Sequence, residues 1–450
     1  MESVKDKFTN QLQKQINEFL DHECFQLNTL NPATPYIRPI RKQDFASLDL
    51  SKPITSFEIT SNKNLLLNKL LLTIYEQDML FLNKSFNELK TKKTFKSFYD
   101  SEFVAKGKVI KPFLENRVFQ FLDNEIEIIG HWNKDKLISY FAETIDKQEK
   151  LKNELCLTIN KTSNKELACK MLLVQMAPDF LSEASAMART LSGSFCEEQS
   201  ELMKIFIDEY GYGVHNTKHS TLFENTLNSI GMNTDIHFYY DAYLPTSLML
   251  VNYFHYVCSN KDMWFQYLGA LYYTEASIPH FNKQISILLK QILPSINTAY
   301  FDEHVHIDQH HRRMINKLII SSIDKYGDEI INEILKGFES FRFLQSIAEL
   351  DLIEQIEFME MSNKKQTNTV YERKGEKIFF TEEKNELTLS HIHDESELFT
   401  VTEGSLHFHH NGIESTLLPV CRHFLLNLLG LRVRQKEQKI GDKYRLRRAL

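Results

Sequence analysis

Glycine and proline are scarce in this chain, at 14 and 10 of 450 residues, well under the usual ~7% and ~5%. So few chain breakers leave little room for turns, and a mainly α-helical protein is expected. Long apolar runs are missing too. None approaches the roughly 18 residues of a membrane span, and even Leu65–Tyr75 is interrupted by Asn68 and Lys69. The charged start, Met1-Glu2-Ser3-Val4-Lys5-Asp6-Lys7, has no apolar core behind it and does not read as a signal peptide. The six cysteines, Cys24, Cys156, Cys169, Cys196, Cys258 and Cys421, form no CxxC pair. Such spacing suits reduced thiols in a cytoplasm and excludes a zinc knuckle or a disulfide framework. Cationic excess is absent as well: the net charge is -7, without the basic footprint of a nucleic-acid binder. The last twenty residues, with eight Lys/Arg against two acids, read as a solvated terminal segment. Neither nucleic acid nor membrane is expected as a partner.

What is present divides into three stretches, as the length suggests at about 150 residues per domain. Residues 1–145 read as a helical N-terminal domain of dimerisation type, broken around Asn31-Pro32-Ala33-Thr34-Pro35 and Lys52-Pro53, with a wide-faced helix over Asn64–Asn87. Residues 146–360 are helix after helix. Lys165–Thr190, Glu198–Glu209, Ser220–Ile230, Pro245–Ser259, Trp264–Glu275, His280–Leu293 and Asp308–Lys325 each fit a 3.6-residue period. Helices this apolar must pack as a bundle. Residues 361–450 open on a polar linker, Met361–Thr369, followed by the short alternating runs Lys377–Thr381, Leu387–His391, Leu398–Val401 and Leu406–His410. These predict a small β-barrel or sandwich.

Histidine is unevenly spread. Nine of the 17 lie in two windows, His304 to His311 and His391 to His410. On a helix, offsets of 4 and 7 residues fall at about +40° and -20°, so His304, Asp308 and His311 share one face. Two imidazoles and a carboxylate converging from one helix form a redox-iron ligand set. His306 and His310 fall on the other side. Glu183 and Glu275 sit among small and apolar neighbours, where an acid is costly unless it is paired or bound to metal. Glu209 and His219 bracket Tyr210-Gly211-Tyr212-Gly213-Val214, with Ser220 as the expected N-cap of the next helix. His215, four residues before His219, competes with it as a ligand. Four carboxylates and three imidazoles in a helical bundle match the composition of a di-iron site.

Glu183, then Glu209 and His219 ten apart, then His304-xxx-Asp308-xx-His311 resembles the haem-oxygenase-like di-iron oxidases. That resemblance covers residues 165–325. It implies a seven-helix bundle without haem and two Fe(II) held by Glu183, Glu209, His219, Glu275, His304, Asp308 and His311. Within that set Glu275 is carried by position only, as an added, bridging ligand. O2 is the implied co-substrate, and an external electron donor is required. The family's activities are N-oxygenation, oxidative decarboxylation and C–C cleavage.

The second window reads His391-Ile392-His393-Asp394-Glu395-Ser396-Glu397 with Gly404 beyond it. This is similar to the first cupin motif, lacking its leading glycine. Alternation along a strand puts His391 and His393 on one face, with Glu397 as a third ligand of one more iron. The partner motif is eroded: around Gly430, Leu428 and Val433 stand where a proline and a histidine belong, and His423 comes too early. A catalytic cupin and a vestigial one both stay open. His407 and His409 are expected to face solvent.

The order of helical front domain, di-iron domain and cupin resembles family members that act on a guanidine. It implies a homodimer in which the di-iron domain N-hydroxylates an amino-acid-like nitrogen substrate, a guanidine or an amine. A cupin iron then forms an N-nitroso group. Two other readings are carried alongside: oxidative C–C cleavage or decarboxylation at the same irons, and a non-catalytic protein whose cupin senses a small ligand. In that last case Glu183, Glu209 and His304 would be dispensable. A zinc hydrolase fails on the number of ligands, since zinc sites use about four or fewer.

Overall fold

The computed structural model describes residues 4–26, 34–46, 48–82, 84–193 and 195–364, and then 397–400, 403–410, 413–417 and 422–425. The described chain is mainly helical. Its front part holds α1 (Val4–Leu20), α2 (Lys42–Ala46), α3 (Asn62–Glu76), α4 (Leu89–Phe98), α5 (Ser101–Phe119), α6 (Leu122–Glu125) and α7 (Lys134–Glu149). There follow α8 (Glu154–Lys161), α9 (Lys165–Phe180), α10 (Glu197–Glu209), α11 (His219–Ser229) and α12 (Pro245–Ser259). Three long helices, α13 (Trp264–Ile292), α14 (Ala299–Tyr326) and α15 (Ile331–Lys364), close the series. None of them is long and apolar enough to cross a membrane.

Side-chain caps start several of these helices. Asn133, Asn153 and Asn164 accept backbone N–H bonds at the starts of α7, α8 and α9, satisfying donors that a helix leaves unpaired. The axis of the bundle is α13, which packs along both α14 and α15. It lies so close to α15 that a Cβ on Gly269 would strike the Ile334 carbonyl, and one on Gly337 the Gln266 carbonyl. Front and centre share a core: Phe19, Leu70 and Phe141 join Leu268, Ile319 and Phe338 in one buried cluster. A second cluster, with Leu172, Phe223, Leu289 and Tyr300, fills the other side.

Several predicted helices differ in extent. Lys165–Thr190 stops at Phe180, just after Pro178, and the chain turns with Ala184 at φ 62°. Glu183 therefore sits in a turn, not mid-helix. Trp264–Glu275 and His280–Leu293 are one helix that runs through Pro279; the proline removes a single hydrogen bond while buried residues on both sides keep the rod in place. The helix over Asn64–Asn87 is shorter, ending at Glu76. Ser220 is not an N-cap, because α11 already starts at His219, after Lys218.

Beyond the helices, β1 (Glu397–Thr400) pairs antiparallel with β4 (Arg422–Leu425), and β2 (Leu406–His410) with β3 (Ile413–Leu417). The runs Lys377–Thr381 and Leu387–His391 lie outside the described residues, as do His391, His393 and the partner-motif stretch around Gly430. Glu397 opens β1 opposite Leu425. His423, expected ahead of a strand, lies within β4 opposite Phe399.

Candidate metal centre

Four elements bring the seven residues together. Helix α14 carries His304, Asp308 and His311 on one buried stripe, at 2%, 1% and 0% exposure. His306 and His310 point out to solvent, as the helical wheel requires. Helix α13 supplies Glu275 beside them. The turn after α9 supplies Glu183, freed from the helix by the break past Pro178.

The fourth element is the connection between α10 and α11, with Glu209 at one end and His219 at the other. Their side chains meet, His219 Nδ1 lying 2.6 Å from Glu209 Oε2, because the intervening loop folds back on Gly211. Gly211 has φ +59°, and a Cβ there would lie 2.5 Å from Lys218 N and from Thr217 C. Only glycine tolerates both the left-handed backbone and that approach. The Thr217 hydroxyl donates to the Gly211 carbonyl at 3.0 Å and fastens the loop. His215 lies exposed on this loop, away from the cluster.

The potential ligand atoms fall into two groups, each within 4.8 Å: Glu183, Glu209, His219 and His304 in one, and Glu209, Glu275, Asp308 and His311 in the other. Glu209 belongs to both. Glu275, whose position suggested a bridge, reaches the second group alone. The imidazoles are aimed by their far nitrogens. His304 Nδ1 donates to the Tyr300 carbonyl at 2.7 Å, which turns Nε2 toward Glu183, 3.2 Å away. His311 Nε2 donates to Asp208 Oδ2 at 3.2 Å, which leaves Nδ1 facing Glu275 at 3.2 Å and Glu209 at 3.3 Å. Tyr300 Oη donates to Glu183 Oε1 at 2.8 Å. Such outer partners orient metal ligands.

Sequence reasoning missed Asp208, Tyr300 and Asp179. Tyr300 was findable, since it lies four residues before His304 on the same helical face. Asp208 is masked by its neighbour Glu209, and nothing in the sequence marks Asp179.

Electrostatically the cluster is acidic and enclosed. Burial pushes the Asp308 carboxyl well up and Glu275 up, against the pull of His304 and His311 respectively. Burial also opposes charge on Glu209, but His219, His311 and His304 overcome it and hold the group below the ordinary carboxylate range. His311 is pushed up to about 12, since Glu275 and Glu209 outweigh its burial. Asp179 rises to about 7 through burial and then the nearby Glu183 and Glu209 charges.

Do these residues fit a metal pair? Both Asp308 oxygens, Glu183 Oε2, Glu209 Oε2 and His219 Nδ1 are buried without a hydrogen-bond partner. Buried polar atoms are rarely left so. The short His219–Glu209 approach is not aligned as a hydrogen bond, which is how two lone pairs directed at a common point are placed. Three imidazole nitrogens and four carboxylates, one of them shared, suit two ferrous ions. Two surface clefts, of about 350 Å³ beside Phe119 and Tyr256 and about 210 Å³ beside Trp264 and Tyr326, touch none of the seven residues.

Comparison with known proteins shows what the chain is similar to. Residues 170–345 match a family described as iron-containing redox enzymes, with a haem-oxygenase-type domain. The chain is 41% identical over 402 residues to nitrosourea synthase from Streptomyces achromogenes subsp. streptozoticus, covering 87% of this chain and 85% of that protein. A solved domain of unknown function with a haem-oxygenase-like fold, from Shewanella denitrificans OS217, aligns with 51% of this chain and 96% of its own. Its identity is 15% and the TM-score 0.39.

Proposed function

The chain belongs to the family of nitrosourea synthase and carries a haem-oxygenase-like, iron-containing redox domain, and on that premise we propose that it is an O2-dependent di-iron N-oxygenase. Glu183, Glu209, His219, Glu275, His304, Asp308 and His311 would hold two irons, Glu209 being the residue common to both groups of candidate ligands. The observation that supports this reading is that Glu209 belongs to both groups of candidate ligand atoms. Bound Fe(II) would offer open coordination positions for O2 and relay the external donor's electrons to it. The protein's own part is to hold them. Asp208 and the Tyr300 carbonyl keep the imidazoles turned inward, and Tyr300 Oη takes up one Glu183 oxygen, leaving the other free to ligate.

A nitrosourea, the product named for the relative, carries an N–N=O group, so at least one nitrogen must be oxidised before the N–N bond exists. The chemistry we assign to the helical site is that oxidation. An N–H becomes N–OH with one atom of O2, the other leaves as water, and an external donor supplies two electrons with two protons. The substrate is an amino-acid-like guanidine or amine. The second step, forming the N-nitroso group, belongs to a cupin-like domain over 361–450 with His391, His393 and Glu397 as iron ligands. Helical domains over 1–145 and 146–360 complete the proposed organisation, with the first joining a homodimer in the cytoplasm.

The test is anaerobic Fe(II) loading, then exposure to isotopically labelled O2 with a reductant and L-arginine, read by iron assay and mass spectrometry. Two irons in the helical site beside one at the C-terminal motif, and one labelled oxygen on a guanidine nitrogen, are expected. No iron uptake, or uptake unchanged in Glu209→Ala and His304→Ala, overturns the reading.

A further inference from the structure

Two polar side chains near the cluster have no role in holding metal and no partner among the described residues. The first is Asn282. It is 1% exposed, and neither its amide nitrogen nor its oxygen makes a hydrogen bond. Its direction follows from helix register. Glu275 on α13 meets His311 on α14, and eleven residues further along α13 Ser286 donates to Asp302 on α14 at 2.6 Å. The two helices are therefore antiparallel, and one stripe of α13 faces α14 at both points. Asn282 lies seven residues past Glu275, about two turns and 10.5 Å along the same face. His304 lies seven residues before His311. Asn282 is thus level with His304, on the side of the first ligand group.

The second is Asp179, at the end of α9, one turn before Glu183. No Lys, Arg or His pairs with it among the described residues. It is partly exposed, while the ligands it neighbours are nearly all buried. Charge arithmetic shows why it stands out. Four ligand carboxylates and two ferrous ions cancel. Asp208 adds a further negative charge, but it is committed to His311 Nε2. Asp179 has nothing opposite. An acid beside an acidic cluster is disfavoured unless a cation comes to it, and a carboxamide buried with both ends free wants an acceptor and a donor opposite it.

We propose that Asp179 and Asn282 form the subsite that recognises the substrate's cationic nitrogen group, a guanidinium or ammonium. Asp179 supplies the counter-charge, and the Asn282 oxygen accepts an N–H bond beside the Glu183–His304 side of the centre. This rests on the di-iron reading above. Both are positioning residues; the nitrogen they hold is the one presented for oxidation.

The test uses the full chain loaded anaerobically with Fe(II), with binding measured by calorimetry. The probes are L-arginine and L-citrulline, of nearly equal shape but with and without the charge. Wild type is expected to prefer arginine by tenfold or more. Asp179→Asn should remove that preference, lowering arginine affinity about tenfold to hundredfold, the usual worth of a charge-assisted bond. Citrulline affinity and the iron count should stay unchanged. Asp179→Glu should restore part of the preference. Asn282→Leu should weaken both probes while leaving the iron count at the wild-type value. A wild type that holds its iron pair but does not favour arginine, or an Asp179→Asn chain that still does, overturns the subsite alone. A wild type that takes up no iron overturns the underlying reading, and the iron assay separates the two failures.

Discussion

Replacing Gly211 by alanine should strip the centre of metal while leaving the bundle folded. The loop from Tyr210 to Lys218 brings Glu209 and His219 together only because Gly211 adopts φ +59° and its α-carbon sits against the Lys218 and Thr217 backbone. Alanine meets two penalties there. The left-handed backbone costs about 1–2 kcal/mol for a residue with a Cβ. The new methyl would also stand 2.5 Å from backbone atoms that cannot rotate away, so the loop must open by about 1 Å to reach ordinary contact. That displacement falls on His219, whose Nδ1 lies 2.6 Å from Glu209 Oε2. If about 2–3 kcal/mol of strain is discharged on the metal site, Fe(II) affinity drops roughly 30- to 150-fold. The loop is short and lies at the surface of α10 and α11, so the helical signal and the cooperative melt should survive. The assay is anaerobic Fe(II) titration with far-UV circular dichroism on the same sample. A Gly211→Ala chain that binds two irons with undiminished affinity would refute the argument that this glycine closes the ligand loop.

Tyr300→Phe keeps the ring and removes the bond to Glu183; iron affinity should fall 10- to 100-fold, as outer-shell changes do, with little change in melting temperature. Away from the centre, Arg38, Glu76 and His237 form a fully buried polar cluster joining the front segment to the bundle. Burial opposes the Glu76 charge, but Arg38 and His237 prevail and hold its pKa at about 2, below the ordinary 4.5. The unfolded chain therefore binds a proton the folded one does not, and stability drops as pH falls from about 4.5 toward 2. Burial, with Arg38, lowers His237 from 6.5, so its contribution declines in the same direction, starting near pH 6.5. Melting curves should show this decline; Glu76→Gln should flatten the lower window and cost about 3–5 kcal/mol by leaving Arg38 uncompensated. For the cupin-like motif proposed above, His391→Ala should leave N-hydroxylation of L-arginine intact while abolishing any N-nitroso product; loss of the first step would refute separate sites.

Much of the centre was legible because helices write their faces into spacing. His304, Asp308 and His311 needed nothing but the 3.6-residue period, which also set His306 and His310 outside. Glu183 was picked out by its apolar company, yet its setting was misread, because the break after Pro178 depends on a left-handed Ala184 that no local pattern announces. The continuity of α13 through Pro279 is likewise tertiary: neighbours on α14 and α15 keep straight what the local signal would divide. The sharing of Glu209 between groups depends on how a loop closes, and the roles of Asp208 and Asp179 depend on what faces them. The β-strand pattern gave Leu406–His410 correctly and came within a residue at Leu398–Val401, but strand pairing is non-local, and it set His423 in a strand beside Glu397 where spacing alone had placed it ahead of one.

The central claim is that Glu209 joins two irons into one centre. Mössbauer spectroscopy of the Fe-loaded, air-oxidised chain, with iron counted on the same sample, tests it most directly. A pair of irons with the magnetic coupling of a carboxylate-bridged ferric pair is predicted, distinct from the single uncoupled iron of the C-terminal motif, with the coupling lost in Glu209→Ala. No coupled pair, or a coupling indifferent to Glu209, would contradict the account.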